Sequence, residues 1–391
     1  MRMIQRLVLF ALTATWSLPA QTYQGSITGT VNDASGGAIV NAKVTVTNQL
    51  TNVARSVETD SQGRYTVVYL GPASYRVAAN AAGFKEFTAR DIPLEIDQVA
   101  RVDIVMQLGD VTQRVEVTAA APLVNSETSS KGQVIGHSEV EELPLVNRDW
   151  LDLAMLAAGV AENDGDFAGH MTINGARGYD VNYSLEGGMN RTMRLGGSNV
   201  QPSVDAIQEF KVQASNYTAE NGRMSSGIIS AAIKSGTNKL HGSVYEYLRN
   251  DYLDACNFFD QDKSKNIRNN FGASLGGPII HDRLFYFVSY EGVRGREGEP
   301  SLGRVPTANE RMGDFSESAA VVRDPFNANA PFPGKRMPAS RIDPVASKIL
   351  GHVVMPNLPG GVGQNNVYSN EVTQRRSDQY LVKGDYSFGN G

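Results

Sequence analysis

The chain has 391 residues, with 36 Lys and Arg against 41 Asp and Glu, for a formal net charge of −5. Such a mildly acidic balance gives no electrostatic footprint for a nucleic-acid partner, and a single cysteine, Cys256, excludes an intramolecular disulfide. The 39 glycines, against 14 Phe and 2 Trp, favour turn-rich β structure over helical bundles, and the length has room for two or three domains.

Arg2 and Arg6 form a positive start, Leu7 to Leu18 is an apolar run, and Ala20 is a small residue before Gln21. This three-part pattern predicts export with residues 1–20 removed as a signal peptide; the run is too short for a good membrane anchor. No later segment reaches the ~18 apolar residues of a membrane helix, so any membrane-embedded part is expected to be a β-barrel.

From residue 21 to 110 the pattern has period two. Ile27, Gly29 and Val31 share one face of a first strand, and Ala42, Val44 and Val46 one face of a second. Further strands are predicted at Arg64–Leu70, after the turn Asp60-Ser61-Gln62-Gly63, and at Ser74–Ala79. Val102, Ile104, Met106 and Leu108 then alternate with polar positions. Short strands divided by Gly, Pro and Asp turns predict a small antiparallel β-sandwich. Thr112 to Pro122 reads as one extended strand that ends at a proline, equally suited to closing the sandwich.

Beyond it, Ser138–Asn147 begins with acidic residues behind a Ser and predicts a short helix. Asp149–Leu156 predicts a second helix with Trp150, Leu151, Leu153 and Leu156 near one face. The glycines of Ile173–Gly178 and Tyr183–Gly188 read as tight turns; no strand-to-helix Gly-x-Gly-x-x-Gly surrounds them, so no dinucleotide site is expected. A helical turn is expected from Asp205 and strands at Phe210–Val212, Gly227–Ile233 and Gly242–Leu248. From Lys239 onward apolar and small or polar residues alternate, as in Phe271, Ala273 and Leu275 against Gly272, Ser274 and Gly276. That is the pattern of outer-membrane strands, with tyrosines near their ends. Leu284, Tyr286, Val288 and Tyr290 are expected on one face, although Phe285 and Phe287 blur that strand, and Gly295–Asn370 reads as a long loop.

Specific stretches carry a resemblance. Gly29-Thr30-Val31-Asn32-Asp33, Asn41-Ala42-Lys43-Val44-Thr45-Val46-Thr47-Asn48 and Thr59-Asp60-Ser61-Gln62-Gly63-Arg64-Tyr65 together resemble a carboxypeptidase regulatory-like domain. Leu143-Pro144, Asn174-Gly175-Ala176-Arg177-Gly178, Leu185-Glu186-Gly187 (with Glu186 where Asp is more typical) and Tyr217–Arg223 resemble the plug of TonB-dependent outer-membrane receptors. Tyr245–Asp251, Asn269–Pro278 and Phe285–Gly292 are similar to the early barrel of that family. The resemblance implies a mostly β chain: an N-terminal β-sandwich (21–110), a linker with a candidate TonB box (111–122), a mixed α+β plug domain (123–236) and the start of a transmembrane β-barrel (237–391).

It further implies that Val115, Glu116, Val117, Thr118 and Ala119 form the TonB box, which pairs with an edge strand of TonB. Glu220 and Arg223 become candidates for a plug–barrel ion pair. The implied partners are TonB, outer-membrane lipid and an extracellular ligand taken up actively, at the cell outer membrane. No cofactor and no enzymatic activity are expected: zinc peptidase chemistry needs clustered ligands, and the histidines at 137, 170, 241, 281 and 352 lack ligand spacing. About four barrel strands are readable where such transporters close with about 22, so the sequence is expected to be the N-terminal part of a longer receptor. The alternative is a secreted or periplasmic β-sandwich surface protein that binds carbohydrate or protein without transport.

Overall fold

The computed structural model describes residues 25–388 except 110–113, 119–130, 144, 146, 163–170, 195, 218–223, 257, 259–262 and 360–363. They form two compact units: one contains the chain up to Val244 with Gly272–Glu291 and the residues from Gln379, the other Tyr245–Phe271 with Gly292–Asp378.

The first unit begins with a β-sandwich. One sheet holds β1 (Gly25–Asp33), β4 (Arg64–Leu70), β7 (Val99–Arg101) and β8 (Ile104–Met106); the other runs β3-β2-β5-β6-β9. In that second sheet β2 is Lys43–Asn48, β3 Ala54–Glu58, β5 Ala73–Asn80, β6 Glu86–Leu94 and β9 Arg114–Thr118. Period-two burial places Ile27, Val31, Val67 and Ile104 of one sheet against Val44, Val46, Val77, Ala79 and Ile92 of the other in a single core. Each such side chain removed from water stabilises the fold by about 1.5–3 kcal/mol before chain entropy is counted.

The expected antiparallel sandwich needs one correction. β7 and β8 both pair with β1 in parallel, with Ser26 opposite Val99 and Val31 opposite Ile104. Between them the chain steps across Gly29, where a Cβ would lie 2.0 Å from the Val102 carbonyl oxygen. Asp103 then supplies Oδ1 to the Thr30 N–H at 2.9 Å in place of a backbone carbonyl. Leu108, expected on the buried face, is 76% exposed because the strand has ended.

The middle region contains β10 (Lys131–Ile135), α1 (His137–Glu142), β11 (Val160–Glu162), β12 (Met171–Ile173), β13 (Asn182–Leu185), β14 (Gly188–Met189), β15 (Ile207–Ser215) and β16 (Ile228–Ile233). Its main sheet has the order β10-β15-β16-β13-β14, with β13 parallel to β16. Helix α1 is shorter than expected and starts one residue earlier: Glu139 Oε2 accepts from the Gly136 N–H at 2.9 Å, so Ser138 is not the cap. Trp150–Leu156 is a 3-10 helix capped by Asp149 rather than an α-helix, and its tighter winding leaves Leu156 exposed. Trp150 packs edge-on against Phe210 with ring centroids 5.0 Å apart, in a core with Leu151, Ile173 and Val212.

Four longer strands follow: β17 (His241–Asn250), β18 (Asn266–Ile280), β19 (Leu284–Gly303) and, after the short pair β20 (Arg323–Asp324) and β21 (Ala330–Pro331), β22 (Val367–Tyr386). They are hydrogen-bonded in the order β17-β18-β19-β22, an open sheet among the described residues. The outer-membrane alternation is present: Leu275, Tyr380 and Val382 are exposed, while Gly272, Ser274 and Gly276 are buried. Phe285 and Phe287, which blurred the reading of β19, are its buried face. The expected loop is also shorter, because β19 continues to Gly303. Within the second unit it is tied by Arg311, which donates to the carbonyls of Leu350 and Val353 at 2.7 and 2.9 Å.

Candidate functional site: a partner strand and its joints

Four of the five candidate TonB-box residues, Val115–Thr118, are in β9; Ala119 lies outside the described residues. β9 runs parallel to β6 in unbroken register from Glu86–Arg114 through Thr88–Glu116 to Arg90–Thr118. Alternating β-branched residues favour this extended backbone. The strand is at one end of the five-stranded sheet, so among the described residues its other edge has no neighbouring strand. Glu220 and Arg223, the candidate ion pair, lie outside the described residues.

The sheet that carries β9 is joined to the middle region. After β6 the chain turns through Glu95–Gln98, with Asp97 in the left-handed region at φ 50°. Ile96 at the tip is fully buried. Its N–H donates to Glu209 Oε1 at 2.5 Å, and Lys211 Nζ donates to the carbonyls of Ile96 and Asp97 at 3.4 and 3.1 Å. Because side chains alternate along a strand, β15 places Phe210 and Val212 in the core of the middle region and Glu209 and Lys211 on the turn. Burial pushes the Glu209 carboxyl up to about 7, outweighing the Ile96 hydrogen bond that favours its charge. Burial likewise pulls the Lys211 ammonium below its usual range, against the pull of Asp97, Glu95 and Glu209.

A second joint connects the middle region to β22. Glu186, in the left-handed region at φ 51°, accepts from the Ile233 N–H at 2.6 Å. Its other oxygen is 3.0 Å from Lys383 Nζ, which also donates to the Ile233 carbonyl at 3.0 Å. The three groups form a closed ring of polar contacts at the end of β16. Deeper in, Arg148 and Asp205 form an ion pair with side chains only 8% and 9% exposed. Burial raises the Asp205 carboxyl even beside Arg148. A buried pair of this kind specifies geometry more than it adds stability.

The fold thus joins a small β-sandwich to a mixed α+β region and to strands of outer-membrane type. Comparison with known proteins gives the same order. Residues 26–107 match the carboxypeptidase regulatory-like domain, and residues 232–391 match an outer membrane beta barrel domain. The chain is 26% identical over 302 residues to the TonB-dependent transporter Oar of Myxococcus xanthus, a match that covers 72% of this chain. The chain spans 28% of the length of that relative. Among solved structures it is similar to the siderophore receptor PirA from Acinetobacter baumannii, at TM-score 0.32 and 20% identity over 49% of this chain and 27% of that one. It is also similar to catechol 1,2-dioxygenase from Acinetobacter sp. ADP1, at TM-score 0.20 and 14% identity over 26% of this chain and 60% of that one. The chain thus carries a carboxypeptidase regulatory-like domain followed by outer membrane beta barrel sequence, and over 72% of its length it is similar to a TonB-dependent transporter. The barrel sequence places it in the outer membrane.

Neither joint was read from the sequence. The signal for the first was weak: Glu209 and Lys211 alternate with Phe210 and Val212 and are flanked by Gln208 and Gln213, a pattern that a solvated strand face shares. For Lys383 the alternation of β22 marks an inward charge but does not name Glu186.

Proposed function

We propose that this chain carries the gate of a receptor for TonB-dependent active uptake of a ligand from outside the cell, without an enzymatic step. In this reading residues 1–20 are the export signal, 21–110 the regulatory-like domain and 111–122 the linker with the TonB box. Residues 123–236 are then the plug, and 237–391 the first part of the barrel. The observation that carries the reading is order: a regulatory-like domain, an extended strand, an α+β region and outer-membrane strands, in a chain similar to a TonB-dependent transporter. TonB would pair with Val115–Ala119 through backbone hydrogen bonds, so force applied to that segment reaches the plug.

The test uses the purified periplasmic domain of TonB and the full chain in detergent. Deleting Val115–Ala119 is expected to weaken their association by at least about tenfold, or ~1.4 kcal/mol. Association that survives the deletion unchanged would refute this box assignment.

A further inference from the structure

We infer that the regulatory-like domain presents the TonB box as a ready-made edge strand, and that TonB adds its own strand to the outer edge of β9 without detaching it from β6. The inference rests on the box assignment proposed above and goes beyond it by fixing where and in what state the box is bound.

Three observations carry it. First, all of Arg114–Thr118 is paired in register with β6, so the segment is already extended. A free linker would lose backbone freedom when it paired with a partner; here the sandwich has already imposed the conformation. Second, the sheet order ends at β9 among the described residues, and in a strand paired on one side the alternate N–H and C=O groups point to the other. A partner strand can use those groups while β6 keeps its own. Third, β6 is not a loose support. Phe87, Thr88 and Ala89 are all buried, and the turn that follows β6 is held at Ile96 and Asp97 by Glu209 and Lys211 of β15. A strand added at β9 would therefore be continuous with a sheet that is fastened to the plug. The opposite arrangement, in which the box is stored on β6 and must be peeled away, would sacrifice that connection and five residues of pairing.

The experiment locks β9 to β6. Thr88 and Glu116 are opposite each other, as are Glu86 and Arg114. Neighbouring strands place such Cα atoms about 5 Å apart, within disulfide range. Each pair is changed to cysteine (Thr88→Cys with Glu116→Cys; Glu86→Cys with Arg114→Cys) in a Cys256→Ser background. The oxidised and reduced forms of the same protein are then titrated with the periplasmic domain of TonB. Edge addition predicts that oxidised and reduced forms bind within about twofold of each other. It also predicts that on binding the amides of 114–118 gain protection from hydrogen exchange while those of β6 keep theirs. A loss of about tenfold or more on oxidation in either pair, or loss of protection in β6 on binding, would overturn the inference and mean that the box leaves the sandwich. Deletion of Val115–Thr118 in parallel separates the two levels. If the deletion leaves TonB binding unchanged, the box assignment and the inference fall together; if it abolishes binding but the lock does too, only the inference falls.

Discussion

Glu209 sets the most specific expectation for a single residue. Its carboxyl has a folded value of about 7 against an ordinary 4.5, so the folded state holds its proton more tightly than the unfolded chain. A group with a raised folded value contributes its full stability below the ordinary value and loses it as pH rises through the folded one. The joint between turn Glu95–Gln98 and β15 is therefore expected to be firmest near pH 4.5 and to loosen towards pH 7 and above. Glu95, Asp97 and Lys211 are the charged groups that face it, and Lys211 acts in the opposite sense because burial lowers its value. Glu209→Gln keeps an oxygen for the Ile96 N–H and removes the titration. The variant should lose part of the fall in Tm between pH 5 and pH 7.5; a pH profile identical to that of the parent would show that Glu209 does not titrate there. The sequence shows that Glu209 and Lys211 share the polar positions of an alternating strand, but not that this face is buried or what receives it. The partner turn lies 113 positions away for Glu209 Oε1, and no local periodicity reports a contact at that separation.

At the scale of elements, period two was enough to recover β1, β2, β4 and β5, because one face of each is buried and the other is not, whereas β16 was legible as a continuous apolar run that is buried on both faces. What it could not give was the partner of each strand. The alternation from Arg101 to Leu108 reads as one strand, yet the chain makes two short parallel pairings on β1, through Val99–Arg101 and Ile104–Met106, since Val102–Asp103 cross over at Gly29 and Asp103 takes the Thr30 N–H. That crossing explains why glycine is required there, even though its φ is ordinary: the Val102 carbonyl oxygen occupies the space a Cβ would need. Gly29→Ala is expected to separate β1 from the segment Val102–Asp103 and to destabilise the sandwich by about 2–4 kcal/mol. Denaturant unfolding of the chain, followed through the sandwich, measures this. A change below about 0.5 kcal/mol would mean that the backbone relaxes freely at the crossing. The helices were less legible for a related reason. Trp150–Leu156 has helical spacing, but its seven residues are too few for propensity to decide between windings.

At the scale of the molecule, the ends of the outer-membrane strands share one compact unit with the sandwich and the middle region, and the Glu186–Ile233–Lys383 ring is one of the contacts within it. It joins a turn of the middle region, the last residue of β16 and a strand of the barrel type. Glu186 has one carboxylate oxygen committed to a backbone N–H and the other to an ammonium, which donates in turn to the Ile233 carbonyl. Removing only one charge leaves the other partly buried, with side chains 29% and 19% exposed for Glu186 and Lys383. Glu186→Gln and Lys383→Met are each expected to weaken the joint. The double variant should cost less than the sum of the two, by on the order of 1 kcal/mol, because the second change removes the charge that the first left unpaired. Protease sensitivity of the middle region in the full chain, compared across the four proteins of this cycle, gives the coupling. Strict additivity would mean that the two side chains meet without holding anything. A coupled result would identify the residues whose separation must accompany any movement of this turn away from β22.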